Sequence, residues 1–296
     1  TISHEKRGLK KEQLLLLPYY PITEDKTFLG FPEETKGKVV IFSGGDFYKT
    51  VDKHNTYWEL VKALLNENPE AVVLFACKLG NNQVDSILND FIISNGFQNR
   101  FIPIGFRPDI NEVFTHCDIF MGTCPMSGGL MSQYAAVNAK PILQFYPAEL
   151  SSNNETESVI CFNGKLNISF TDKDAFLVQA KRLINDKEYR ENFGKQIASC
   201  LITEKQFNEI FAKSIETHHN QVEIEQVNVQ YDALVSWWLQ IGDKGYYDIR
   251  GYIYSILGIR GLVEAPCITA EYLAKRYLAD KLFNYKWYLA KMRKEK

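Results

Sequence analysis

Two short glycine turns carry most of the chemistry legible in this sequence. Ser43-Gly44-Gly45, followed by Asp46, Tyr48 and Lys49, ends the apolar run KVVIF, and Ser127-Gly128-Gly129 lies between the run DIFMG and a helix-forming stretch. A small-Gly-Gly turn at a strand-to-helix junction leaves backbone N–H groups unpaired and lets a ligand approach the main chain closely. The positive end of the following helix adds to the effect, so such a turn suits phosphate. The competing reading is structural: a tight turn with a solvated Lys49 at the first site, and close helix-to-sheet packing at the second. Two such turns in equivalent positions favour a ligand crevice. The GxGxxG fingerprint and the GK[ST] phosphate loop are both missing, which argues against hydride transfer and ATP hydrolysis.

A third segment, Gly105-Phe106-Arg107-Pro108-Asp109, follows another apolar run. Its backbone is suited to hydrogen-bonding a base edge while Phe106 packs on the ring. Arg107 has two readings, a phosphate contact or a pair with Asp109, and the backbone role ranks above the side-chain role. The histidines offer less. His54 begins a helix, His116 ends one beside Cys117, and His218-His219 closes a charged helix. The six cysteines (Cys77, Cys117, Cys124, Cys161, Cys200 and Cys267) are scattered without a CxxC pair. They read as buried thiols in a reducing compartment, and no acidic or histidine cluster suggests a metal.

The elements that would position these turns follow from hydrophobic rhythm. KVVIF, AVVLFAC, RFIPIGF, DIFMG and PILQF are continuous apolar runs of strand length, with further strand expected at 159–162 and 166–170. Between and after them, helical spacing predicts helices over 54–67, 83–95, 109–116, 129–139, 173–185 and 187–217. Strands without polar alternation, separated by amphipathic helices, indicate a parallel sheet covered on both faces. The expected fold is therefore α/β, a Rossmann-like parallel sheet followed by a helical extension. In such a sheet the glycine turns fall at the carboxyl ends of strands, where ligands bind.

With 296 residues, 45% hydrophobic, the chain has ample material for a core, and a net charge of -2 gives no reason to expect a nucleic-acid partner. Residues 1–36 read as a linker or the tail of a missing N-terminal domain, 37–220 as the Rossmann-like domain, and 221–296 as a helical, aromatic-rich extension. The first residue is Thr1 rather than methionine, which fits the expectation of a fragment. No run of apolar residues is long enough to span a membrane.

The segment RFIPIGFRPDINEVFTHCDIFMGTCPMSGGLMSQYAAVNAKPIL resembles the nucleotide-sugar-binding half of GT-B glycosyltransferases. It shares a strand ending in glycine, a short helix, an Asp-led strand, a Ser/Gly turn, a helix and a proline-led strand. VICFNGKLNISFTDKDAFLVQAKRLINDKEYRENFG is similar to that family's closing portion, so the resemblance covers roughly residues 37–215. It implies a nucleoside-diphosphate-sugar donor, with a UDP-sugar as the leading expectation. The base would lie near Gly105, Phe106 and Arg107, and the diphosphate near Ser43, Gly44, Gly45 and Lys49 and at Ser127, Gly128 and Gly129. No metal and no cofactor is implied, the leaving diphosphate being met by helix dipoles and by Lys49, Arg107 and Ser127.

Departures from the pattern matter. The carboxylate that holds the ribose in many members is replaced by Tyr134, leaving Gln133 as the candidate ribose contact. The two glutamates with seven residues between them in many retaining members are replaced by Met126 and Tyr134. Only one of the two Rossmann-like halves fits in this length, so the catalytic base is unassigned and the chain is expected to be inactive, or nearly so, without its missing half. The resemblance implies transfer of a sugar to a saccharide or other hydroxyl acceptor in cytoplasmic glycan or polysaccharide biosynthesis. The alternatives are an isomerase of the UDP-GlcNAc 2-epimerase type and a non-catalytic module that keeps the fold. The loop 147–158, with Glu149, Asn153, Asn154 and Glu157, is expected to overhang the crevice or to be a disordered surface loop. Residues 271–296 carry eight Lys or Arg against three acids. Packing on the main domain is preferred for this helix, with peripheral contact at the inner membrane face as the other reading.

Overall fold

The computed structural model describes residues 23–222 apart from 25, 51, 53, 81, 147–159 and 162–165. These all fall within the first of two compact units, Thr1–Trp238; the second, Leu239–Lys296, lies outside the described residues, as do the basic helix and the loop 147–158.

Six strands form the sheet: β1 (Val39–Gly44), β2 (Ala71–Ala76), β3 (Phe101–Pro103), β4 (Ile119–Met121), β5 (Ile142–Phe145) and β6 (Ser169–Phe170). Their order is β3-β2-β1-β4-β5-β6, and every neighbouring pair is parallel. Val39 pairs with Ala71 and Gly44 with Ala76, while on the other side Ile41 pairs with Ile119. Ile41 and Phe42 are successive and so face opposite ways, yet both are fully buried, as both-face coverage requires.

The α-helices that lie wholly within the described residues are α1 (Thr56–Glu67), α2 (Asn82–Asn95), α3 (Ile110–His116), α4 (Gly129–Val137), α5 (Lys173–Asn185), α6 (Lys187–Ser199) and α7 (Glu204–Thr217). Right-handed crossovers that run outward from β1 in both directions place α1 and α2 on one face and α4 on the other. α1 packs beside α5, and α4 meets both α3 and α6. Gly194 makes the last contact by lacking a side chain, because a Cβ there would overlap the Ala139 carbonyl. The core is strongly aromatic: Phe42, Phe75, Phe101, Phe114 and Phe120 are fully buried, with Trp58 packed edge-on against Tyr57, Phe75 and Phe91.

Several boundaries differ from the sequence expectation. The long helix over 187–217 is two helices, because Thr203 starts α7 with a capping box, its hydroxyl accepting from the Gln206 amide while Gln206 accepts from the Thr203 amide. The strand expected over 166–170 narrows to Ser169–Phe170, and Ile160 is helical. Before β1, residues 28–31 pack on the start and end of α3.

Candidate functional site: the crevice at the switch point

In a parallel sheet whose strand order reverses between β1 and β4, the crevice outside their carboxyl ends is the default ligand site. Both glycine turns lie there. Gly44 admits the close approach of β2, since a Cβ would stand 2.8 Å from the Ala76 carbonyl oxygen. The Gly45 amide donates to that carbonyl at 2.9 Å, and a Cβ at Gly45 would face Lys49 Cδ at 3.3 Å and Thr123 Cγ2 at 3.8 Å. The chain then makes a short 3-10 turn, Phe47–Thr50, with the Thr50 hydroxyl donating to the Phe47 carbonyl at 2.7 Å.

The second turn is braced from several directions. Thr123 Oγ1 donates to the Met126 carbonyl at 2.6 Å, and the Met126 amide donates to the Lys49 carbonyl at 3.4 Å, joining the turn after β4 to the turn after β1. The Cys124–Pro125 peptide is cis. From the end of β5, Gln144 Nε2 donates to the Thr123 carbonyl at 3.0 Å and the Tyr146 hydroxyl donates to Ser127 Oγ at 2.9 Å. Gly128 is the N-cap of α4, no side chain caps that end, and a Cβ at Gly129 would meet nothing within 4 Å. The first-turn amides of α4 therefore have no side-chain cap, and the helix dipole lies behind them.

The sequence-derived candidates divide by exposure. Lys49 and Ser127 are half-buried at the crevice. Ser43 is fully buried and its hydroxyl accepts from Tyr57 at 2.7 Å, so its side chain supports the turn from beneath. Gln133 is also buried. Tyr134 stacks on Phe114 with centroids 6.0 Å apart. Gly105 has φ +69°, a left-handed conformation suited to glycine, and Phe106 is 81% exposed. Arg107 is committed to Asp109 through two hydrogen bonds of 2.7 and 2.6 Å and to the Gly30 carbonyl at 2.9 Å. Asp109 is thereby held at about 2, chiefly by the Arg107 hydrogen bonds. His54 is exposed; His116 Nδ1 donates to the Glu112 carbonyl, and the ring stacks on Phe28.

Beneath the crevice lies an apolar floor. Burial pushes the Tyr57 hydroxyl well up and moves the Cys77 thiol up to about 11; it also raises the Cys124 thiol well above its ordinary value, with the Lys173 charge acting against that rise. Lys173, at the first position of α5, is thus a cation near the end of β4 that sequence reading passed over, as it did Thr123, Gln144 and Tyr146. Only position after a strand could have singled these out. Among the described residues no group of three His, Cys, Asp or Glu could hold a metal ion, and no helix is long and apolar enough to cross a membrane.

No protein-family profile matches the chain, and neither does any curated protein sequence. Solved structures do. The chain is similar to WaaG, a glycosyltransferase involved in lipopolysaccharide biosynthesis, at 11% identity over 72% of this chain and 60% of that one, with a TM-score of 0.50. It is also similar to a Thermobaculum terrenum O-GlcNAc transferase mutant (14% identity, 61% of this chain and 36% of that one, TM-score 0.47). A third is Anabaena HepE in complex with UDP (14%, 62% and 50%, TM-score 0.45). The chain spans between about a third and three fifths of the length of these proteins. Its parallel sheet has the fold of one Rossmann-like half of a GT-B glycosyltransferase.

Proposed function

We propose that this chain is the donor-binding half of a glycosyltransferase and holds a nucleoside-diphosphate sugar, a UDP-sugar first, in the crevice between β1 and β4. The observation that carries the reading is the bond from the Met126 amide to the Lys49 carbonyl. It closes two glycine turns into one cradle at the switch point. The diphosphate sits against the open amides of α4 and the Ser127 hydroxyl, with Lys49 countering its charge. The base lies along Gly105 and Phe106. These donors are in place before charge develops on the leaving diphosphate, which is the condition for electrostatic stabilisation of the transfer step. An acceptor hydroxyl, from a saccharide or similar compound, attacks the anomeric carbon with help from a second, preceding half. On this reading the protein works in cytoplasmic glycan or polysaccharide synthesis.

One observation favours a second reading. The position that carries a ribose-holding carboxylate in the resemblance is Tyr134, stacked on Phe114, and its neighbour Gln133 is buried. A module that keeps the fold without binding donor accounts for this. Calorimetric titration with UDP, GDP, ADP, CMP and dTDP decides between them, on the wild type and on Gly128→Asp. Selective binding of one diphosphate, lost on placing a carboxylate at the mouth of α4, supports the donor site. Absence of binding to all five supports the module.

A further inference from the structure

Asp109 stands at the N-cap of α3, where an aspartate ordinarily accepts from first-turn amides, yet its side chain makes no such bond. Its carboxylate is turned instead toward a segment far back in the chain. It accepts from the Leu29 amide at 2.9 Å and from Arg107 Nε and Nη2 at 2.7 and 2.6 Å. Arg107 Nη1 donates to the Gly30 carbonyl at 2.9 Å, so the ion pair meets one main-chain donor and one main-chain acceptor of the same short segment. Phe28 stacks on His116 with ring centroids 3.9 Å apart, and the Arg107 guanidinium lies 5.7 and 5.8 Å from the Phe28 and Phe31 centroids. The side chains of Arg107 and Asp109 are 7% and 2% exposed. A buried pair of this kind is tolerated when its remaining hydrogen-bonding capacity is met, and here residues 28–31 meet it.

The same loop, which follows β3, carries Gly105, at φ +69°, and Phe106, whose ring is exposed to solvent. We infer that residues 28–31 are a strap, clasped by Arg107 and Asp109, that fixes the pose of the Gly105–Phe106 rim and so sets how a nucleoside ring is held there. The inference rests on the donor-site reading and adds a regulated element to it. Docking of the strap and binding at the rim favour one another. By reciprocity, a nucleoside ring at the rim tightens the strap by the factor that the strap tightens binding. Whatever precedes residue 28 can thus act on the base edge of the site without touching it.

The test uses the full chain and two variants, Phe28→Ala, which loosens the strap while leaving the ion pair intact, and Asp109→Asn, which removes the charge while keeping the side-chain shape. Amide hydrogen exchange is followed at Leu29 and across residues 104–107, without ligand and with saturating UDP. Affinities are measured for UDP, uridine and inorganic pyrophosphate. In ligand-free protein both variants should speed exchange at Leu29 and, with it, at Gly105 and Phe106. UDP and uridine should each weaken by roughly threefold to tenfold, the loss of one or two net contacts, while pyrophosphate is unchanged. UDP should slow Leu29 exchange in the wild type by a similar factor. A freed Leu29 with unaltered exchange at Gly105 and Phe106 overturns the strap, as does an unaltered uridine affinity. Equal losses for pyrophosphate would show general damage and also overturn it. If the wild type binds no UDP, the donor-site reading and the coupling to it fail, and the ligand-free exchange still decides whether the strap fixes the rim.

Discussion

The amide of Met126 reaches the carbonyl of Lys49 at 3.4 Å, across the gap where the sheet reverses its order. That bond holds the two turns in register only because β1 ends close against β2, and Gly44 is what permits the approach. An alanine there would bring its methyl carbon to 2.8 Å from the Ala76 oxygen and 3.0 Å from the Ala76 Cβ. Backbone atoms on the paired strand have nowhere to go. Gly44→Ala is expected to cost about 1–3 kcal/mol by overpacking, seen as a drop of several degrees in melting temperature. An unchanged melting temperature would mean that the strands separate freely at this point.

Tyr146 donates to Ser127 Oγ, so the serine keeps its own proton for a ligand acceptor such as a phosphate oxygen. Tyr146→Phe and Ser127→Ala should each weaken UDP binding by about twofold to tenfold, the scale of one hydrogen bond. Because both changes remove the same interaction, the double variant should be little worse than Ser127→Ala alone. Calorimetry on the four proteins checks this. Additive losses would show that Tyr146 acts on the site by another route.

The parallel sheet was legible because its strands are buried on both faces and so appear as unbroken apolar runs: Val39 to Phe42 and Ala71 to Phe75 need no partner to be recognised. The glycine turns were legible for the same reason, as interruptions of those runs. What escaped is tertiary. Nothing local shows that Ser43 hangs beneath the turn on Tyr57, or that the Asp109 carboxylate reaches back to Leu29. Spacing offered Arg107 either a phosphate or Asp109, and the pair it makes with Asp109, both side chains buried, is visible only in the fold. The break at Thr203 is different, since T-x-x-Q was in plain view and was passed over in a helix-rich stretch.

Gly122 and Gln144 make a second steric lock, one strand away from the first. Gln144 is fully buried with Nε2 shared between the Thr123 and Phe145 carbonyls, while its Oε1 has no hydrogen-bond partner and lies over Gly122. A methyl group at Gly122 would occupy the space of that amide. Gly122→Ala should therefore destabilise the fold by about 1–3 kcal/mol and displace the turn that Gln144 braces. Shortening the opposing side chain should make the pair non-additive: Gly122→Ala in a Gln144→Ala background is expected to cost clearly less than in the wild type, as read by urea unfolding. Equal costs in both backgrounds would place the clash elsewhere.

Acid should loosen the Arg107–Asp109 clasp in a predictable window. The Arg107 hydrogen bonds hold the Asp109 carboxyl at about 2, below its ordinary 3.8, with burial acting in the opposite sense and the Leu29 amide adding to the depression. A carboxylate whose folded value lies below its unfolded one contributes stability that is fully present above the unfolded value and is lost as pH falls through the folded one. The shift corresponds to on the order of 2 kcal/mol. Asp109→Asn leaves Arg107 buried without its counter-ion, so at pH 6 the variant should be less stable than the wild type by roughly 2–4 kcal/mol. Between pH 4 and pH 2 that gap should narrow by about 2 kcal/mol, because the wild type alone takes up this proton. Urea unfolding of both proteins at closely spaced pH values measures the gap directly. A difference that stays constant down to pH 2 would show that the carboxylate is not held by Arg107 in solution.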